Sequence, residues 1–125
     1  MKELVGRGVD INSHDLFQRT ALHAAAYAPS KKCAEFLIDR GASIDALDDI
    51  GMTPLMTACS RGKKKGSDVA LLLLQHGADA KHVRIADGMT AYKFALSYGT
   101  DELLQALIAA GAEMPEPGFQ IVRLK

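Results

Sequence analysis

The feature that most constrains the fold of this chain is an internal repeat of about 33 residues. A block of small and apolar residues headed by threonine occurs at residues 20–26 (TALHAAA), again at 53–59 (TPLMTAC), and more loosely at 90–96 (TAYKFAL). From Thr20 to Thr53 the step is 33 residues. Self-similarity at such a period is typical of proteins built from stacked units, each of which buries its apolar side only against its neighbours.

A second block follows each of the first blocks, at residues 36–42 (FLIDRGA), 72–78 (LLLQHGA) and 106–112 (ALIAAGA). Two of the steps between copies are longer than 33 residues, and both excesses have a visible cause. The segment Lys63–Lys65 is an insertion of three residues, and the stretch from His82 to Asp87 holds one extra residue. We expect the lysines to bulge from a turn while the helices stay in phase.

Each copy predicts two short helices. A threonine hydroxyl can cap a helix start, and Pro54 is tolerated in a first turn because its missing N–H would have had no partner there. The second block carries apolar residues at helical spacing and ends at a glycine that can adopt a left-handed conformation. The pattern predicts three antiparallel helix pairs, joined by hairpin-like loops without a continuous sheet, near residues 20–28, 31–40, 53–61, 67–76, 90–98 and 101–110.

The blocks at residues 20–25 (TALHAA) and 53–55 (TPL) resemble the TPLHxAA signature of the ankyrin repeat, and residues 8–12 (GVDIN) and 77–80 (GADA) resemble its GADVN segment. The resemblance to this family covers residues 2–114. It implies an all-α ankyrin-repeat solenoid of stacked antiparallel helix pairs with hairpin-like loops. The single domain, residues 1–125, then divides into a partial repeat (1–14), repeats at about 15–47, 48–84 and 85–114, and a C-terminal tail (115–125).

The copies depart from the family pattern at two positions. The signature histidine is present as His23, whereas Met56 and Lys93 stand at the equivalent positions of the later copies. The threonine–histidine hydrogen bond that is typical of the family is therefore expected once. Tyr92 stands where the family has a buried leucine, which predicts locally different packing in the third copy.

Composition excludes several classes of protein. Lys plus Arg equal 15 and Asp plus Glu equal 15, so the formal charge is zero, which argues against binding nucleic acid mainly through counterion release. The longest apolar run, Val69–Leu74, is far shorter than a membrane span, and no apolar signal-peptide core is present. We expect a soluble, cytoplasmic domain that binds neither nucleic acid nor membrane.

A search for chemical sites predicts no catalytic residues, no metal and no cofactor. Cys33 and Cys59 fall at positions that the repeat buries, which favours inert packing over a nucleophile. Residues 62–67 lack the spacing of a phosphate-binding loop. Arg61 and Lys63–Lys65 are four basic residues in five, which favours a solvated turn, with a contact to an acidic partner as the alternative. The histidines show no metal-ligand spacing: His14, His23, His76 and His82.

The resemblance implies a non-catalytic protein–protein interaction module, an adaptor or scaffold that binds an unidentified protein partner. Two alternatives stay open: an inhibitory or immunity-type repeat protein that blocks a toxin or enzyme, and the regulatory portion of a larger enzyme. Open solenoid ends predict a monomer, or a weak dimer through uncapped repeats. The apolar residues of the tail, such as Phe119 and Ile121, either cap the last helix pair or form a frayed terminus.

The partner site is expected at the hairpin tips before each threonine and at the ends of the first helices, by similarity to ankyrin repeats. Five of the eight tip residues are apolar, although loop tips are normally polar. Exposed apolar strips on monomers mark interfaces, and aromatic and arginine residues are the usual anchors. The alternative is that the tips pack on one another. The predicted binding residues are Phe17, Arg19, Tyr27, Ile50, Met52, Arg61, Met89 and Tyr98.

Overall fold

Six helices form three consecutive pairs in the computed structural model, which describes residues 11–61 and 64–112. The first pair is α1 (Ala21–Tyr27) and α2 (Lys31–Asp39), the second α3 (Pro54–Cys59) and α4 (Lys64–Gln75), and the third α5 (Ala91–Tyr98) and α6 (Asp101–Ala109). The bounds agree with the sequence prediction to within three residues at every end. The predicted all-α arrangement of three helix pairs is confirmed.

Side-chain hydroxyls fix where the helices begin. The hydroxyls of Thr20, Thr53 and Thr90 each accept a hydrogen bond from the backbone N–H three residues later, at the starts of α1, α3 and α5. Ser30 and Thr100 cap α2 and α6 in the same way. Each such cap stabilises a helix by about 1 kcal/mol, so the threonine repeat in the sequence places the first helix of every unit.

The helices stack in two layers. The first helices of the units pack in the order α1, α3, α5, and the second helices in the order α2, α4, α6. The middle helix, α3, is covered on both sides, and all six of its residues are buried. The core is therefore continuous along the stack and includes Tyr92, which is buried at the position where the family has leucine.

His23 joins the first unit to the second. Its Nδ1 accepts from the Thr20 N–H at 3.1 Å, so Nε2 carries the hydrogen and donates to the Met52 carbonyl at 2.8 Å. The Thr20 hydroxyl in turn accepts from the His23 N–H, which completes a capping box. The single threonine–histidine contact predicted from the sequence is confirmed, and its imidazole also spans two repeats.

The lysine insertion differs from the prediction. Helix α4 begins at Lys64, so Lys64 and Lys65 extend the helix by part of a turn instead of bulging from it. Lysine favours helices, and the exposed Lys64 ammonium lies 3.5 Å from the Asp68 carboxylate one turn later. The helix still packs with the predicted apolar face toward the core, because Val69 and Leu72 are buried. Residues 62 and 63 lie outside the described part of the chain.

The hairpin loops carry only isolated bridges, His14 with Thr20 and Val83 with Thr90. The first bridge spans six residues and the second seven, which places the predicted extra residue within the later loop. Within residues 11–61 and 64–112 no strand forms, as expected. The predicted tail cap and most of the N-terminal partial repeat fall on residues 113–125 and 1–10, outside the described residues.

We expect His23→Ala to lower the free energy of unfolding by about 2–4 kcal/mol, because the substitution leaves the buried Thr20 N–H unpaired, removes one of the two N–H donors to the Met52 carbonyl and opens a cavity. Urea denaturation followed by circular dichroism measures this loss. His76→Ala is the control, since His76 is exposed and should change stability by less than about 0.5 kcal/mol. Equal losses in the two variants would contradict the role of the inter-repeat bond.

Gly66 supplies a test of the packing of α3 against α4 within the second unit. A Cβ at this position in α4 would lie 2.5 Å from the Ala58 carbonyl oxygen, a contact with backbone that cannot move aside easily. Glycine to alanine inside a helix normally stabilises by about 0.5–1 kcal/mol. We expect Gly66→Ala to lower the melting temperature instead, while Lys65→Ala, at the exposed neighbour, leaves it nearly unchanged. A rise in melting temperature for Gly66→Ala would refute the close approach.

Candidate protein-binding groove

A concave cavity of about 750 Å³ lies between the first two hairpin tips and the first helices of the first two units. We call it the tip groove. Its outer wall comes from the tip residues and its inner wall from the ends of α1 and α3. Six of the eight predicted binding residues line it: Phe17, Arg19, Tyr27, Ile50, Met52 and Arg61.

An aspartate shapes each of the two tips. The Asp15 carboxylate accepts from the N–H groups of Phe17 at 2.8 Å and Arg19 at 3.0 Å. Asp48 repeats the arrangement, accepting from the N–H groups of Ile50 and Met52 at 3.0 and 2.8 Å. Aspartate side chains commonly stabilise turns in this way, and the residues that follow by two, Phe17 and Ile50, are both exposed.

Three large apolar side chains border the tip groove and remain exposed to solvent. Phe17 and Ile50 are 54% and 59% exposed at the tips, and Tyr27 is 56% exposed at the end of α1. The two tips are joined through their backbones, since the Asp49 N–H donates to the Phe17 carbonyl at 2.9 Å. The tips therefore contact one another, as one alternative predicted, while these side chains still face solvent.

Two arginines hold the aromatic rings. The Arg61 guanidinium lies 4.2 Å from the Tyr27 ring centroid, and its Nε donates to the Tyr27 carbonyl at 2.9 Å, across the repeat boundary. Arg19 lies 4.9 Å from the Phe17 centroid and pairs with Asp15 at 3.0 Å. The Arg19 N–H and the other donors around Asp15 hold the pKa of that carboxyl below its usual value. Each ring is thus stacked against an arginine of the chain itself.

The structure corrects the expected position of Met52. The side chain is only 8% exposed and belongs to the core, not to an exposed tip. The chain turns inward at Gly51, which has a φ of +78°, and the Met52 carbonyl accepts from His23. Met52 therefore contributes to the floor of the tip groove and cannot be a protruding anchor.

The third unit does not extend the tip groove. Met89 is half-buried and Tyr98 is exposed, but neither residue lines the cavity. At the third tip Arg84 donates from Nε to Asp87 at 2.9 Å. This hydrogen bond is the main cause that lowers the pKa of Asp87 to about 2. The predicted strip is thus continuous only over the first two units.

Sequence reasoning missed Ile85 and left the polar residues of the tip groove out of the predicted binding set. Ile85 is 98% exposed in the third loop. The one extra residue between His82 and Asp87 was the only feature of the sequence that distinguished this loop. Thr57 and Ser60 line the groove between the apolar walls, and so do Asp48 and Asp49. Nothing in the repeat pattern distinguishes these polar residues from ordinary cap and loop residues.

The family model described as ankyrin repeats, three copies, matches residues 1–84 and 51–117. The chain belongs to the ankyrin repeat family. The match covers all the described residues, and the threonine-capped helix pairs and the His23 bridge agree with it.

Curated relatives carry ankyrin-like segments within longer chains. The chain is 38% identical over 97 residues to serine/threonine-protein kinase 12 of Arabidopsis thaliana, covering 74% of this chain and 20% of the relative. It is 34% identical over 98 residues to the probable E3 ubiquitin-protein ligase XBOS31 of Oryza sativa subsp. japonica, covering 78% and 21%. To the neurogenic locus Notch protein of Drosophila melanogaster it is 29% identical over 115 residues, covering 91% and 4%. The chain thus spans about a fifth or less of these relatives.

Across residues 11–61 and 64–112, no three histidine, cysteine, aspartate or glutamate side chains are grouped so that they could hold a metal ion. In that part of the chain, every helix is too short or too polar to cross a bilayer.

The two cysteines of the ankyrin units differ, and one expectation is wrong. Cys33 is exposed in the first turn of α2, whereas Ala34 and Leu37 of the same helix are buried. Cys59 is buried at the end of α3, and its burial raises the pKa of the thiol far above the ordinary value. A buried neutral thiol is a poor nucleophile.

We expect one thiol of the native protein to react rapidly with Ellman's reagent and the second to react only on unfolding. Cys33→Ser should abolish the rapid phase and leave the slow phase intact. Two rapid thiols in the wild-type protein would show that Cys59 is accessible, contrary to the stacked arrangement.

Proposed function

We propose that the chain is a non-catalytic protein–protein interaction module, an adaptor or scaffold that binds a protein partner in the tip groove. Ankyrin repeats generally mediate protein–protein interaction. The observation that carries the proposal is the presence of Phe17, Tyr27 and Ile50 around one concave cavity, each more than half exposed. Exposed apolar patches of this kind on a folded protein mark interaction sites.

The stacked arginines support binding in this groove. Tyrosine and arginine are enriched among the residues that dominate interface energies, and both meet where Arg61 covers Tyr27. Because Arg61 is also hydrogen bonded to the Tyr27 carbonyl, the pair loses little freedom when a partner binds. A pre-ordered anchor lowers the entropic cost of association.

The hydrogen bonding of His23 supports binding over catalysis. Both ring nitrogens of this histidine, which lines the tip groove, are occupied by backbone groups of Thr20 and Met52. A general base needs a free nitrogen within reach of the proton that it removes. His23 therefore acts as a structural bridge under the proposed function.

A second candidate function is the regulatory portion of a larger enzyme. The relatives named as a kinase and a ubiquitin ligase carry the matching segment in about a fifth of their length. A non-catalytic segment of that size can position a substrate or partner for a catalytic domain elsewhere in the chain. This function would use the same tip groove. We propose a cytoplasmic location for the protein under either function.

Phe17→Ala and Tyr27→Ala are each expected to weaken binding of the native partner by about 5- to 150-fold, the equivalent of about 1–3 kcal/mol. The partner is first captured from cells of the source organism on the wild-type chain, and affinities are then compared by biolayer interferometry. Ile108→Ala is the matched control, because Ile108 is an exposed apolar residue on α6, outside the groove.

All three variants should melt at the wild-type temperature, since each replaced side chain is exposed. Unchanged affinity for both Phe17→Ala and Tyr27→Ala would place the site elsewhere. The basic segment from Arg61 to Lys65 would then be the next surface to examine.

A further inference from the structure

The polar groups on the floor of the tip groove are arranged to accept hydrogen bonds. The Thr57 hydroxyl donates its only hydrogen to the Thr53 carbonyl at 3.1 Å, and the Ser60 hydroxyl donates to the Thr57 carbonyl at 2.7 Å. A hydroxyl that has donated its hydrogen can still accept through its lone pairs. Toward an incoming ligand, both hydroxyl oxygens can therefore act only as hydrogen-bond acceptors.

The charges that line the tip groove leave one carboxylate unmatched. Asp15 is paired with Arg19 at 3.0 Å, and Asp48 accepts two backbone N–H groups. The exposed carboxylate of Asp49 has no hydrogen bond or ion pair with any described residue, because only its backbone N–H is engaged. Arg61, the second arginine in the groove, is stacked on Tyr27 and donates a hydrogen bond to its carbonyl.

We propose that the tip groove binds a basic, apolar segment of a partner protein, in which an aliphatic or aromatic anchor stands within four residues of a lysine or arginine. The anchor packs between Phe17, Tyr27 and Ile50, and the cation pairs with Asp49 at the second tip. The proposal rests on the proposed function and adds the chemistry of the partner to it.

The position of Asp49 explains why the groove would recognise a cation that lies close to the apolar anchor on the same segment. Asp49 directly precedes Ile50, and its backbone is bonded to Phe17, so the carboxylate stands beside two of the apolar walls. Once the anchor is bound, a cation on the same segment pairs without a further loss of translational and rotational freedom. The hydroxyl oxygens of Ser60 and Thr57 offer further acceptors to N–H groups of the same segment elsewhere in the groove.

The test uses the full-length chain and a random library of 12-residue peptides displayed on phage. We expect the selected peptides to share an aliphatic or aromatic residue with a lysine or arginine within four positions. The affinity of a selected synthetic peptide, measured by fluorescence anisotropy, should fall at least tenfold for Asp49→Lys. Asp39→Lys is the matched control, since Asp39 is exposed at the end of α2, outside the groove, and its variant should bind within twofold of wild type.

A charge swap separates direct pairing from a general electrostatic effect. The same peptide with its basic residue replaced by glutamate should bind Asp49→Lys at least fivefold more tightly than it binds the wild-type chain. Selection of acidic peptides, which would pair with Arg61, would overturn the proposal. Equal binding of the original peptide by Asp49→Lys and wild type would also overturn it.

Two further outcomes are distinguishable. If Tyr27→Ala abolishes peptide binding while Asp49→Lys does not, the groove binds proteins without reading a cation, and only this proposal fails. The chain's own tail contains Arg123 and Lys125 beside apolar residues, and a full-length variant with both changed to glutamate tests it as the occupant. A fivefold gain in peptide affinity for that variant would show that the groove takes the tail instead of a partner.

Discussion

The burial of α3 between α1 and α5 is the constraint on which the rest of the molecule depends. A helix of six residues is far below the roughly 12–15 residues at which isolated helices become marginally stable in water. It exists because both neighbouring units cover it and because Thr53 caps its first turn. The same reasoning applies to every unit of the stack, so no unit can be stable without a neighbour.

This dependence also builds the tip groove. Phe17 and Tyr27 come from the first unit, whereas Ile50 and Arg61 come from the second, so the groove exists only where two units are stacked. Three of the hydrogen bonds that cross that boundary join residues of the groove: from His23 to the Met52 carbonyl, from Asp49 to the Phe17 carbonyl and from Arg61 to the Tyr27 carbonyl. One buried bond and two surface bonds thus set the relative position of the groove walls.

The helices and their order could be predicted from the sequence because threonine caps and apolar spacing act locally. The same local reasoning could not place Met52, whose burial follows from a positive φ at Gly51 and from a bond to His23 in the preceding unit. It also misplaced Cys33, which is exposed in the first turn of α2 although Leu37, one turn later on the same face, is buried. A period identifies equivalent positions, but the direction of each side chain depends on backbone angles that the period does not contain.

The charges of the tip groove show why its specificity was harder to predict than its apolar walls. Arg19 lies four residues after Asp15, and Arg84 three residues before Asp87, so both pairs are close in sequence and both form in the structure. Asp49 has no such neighbour, and Arg61, at the other end of the groove, is held on Tyr27. A net charge of zero for the whole chain therefore coexists with one unmatched carboxylate in the groove. Apolar walls accept many kinds of side chain, so under the proposed function the unmatched charge is the group best placed to discriminate among partners.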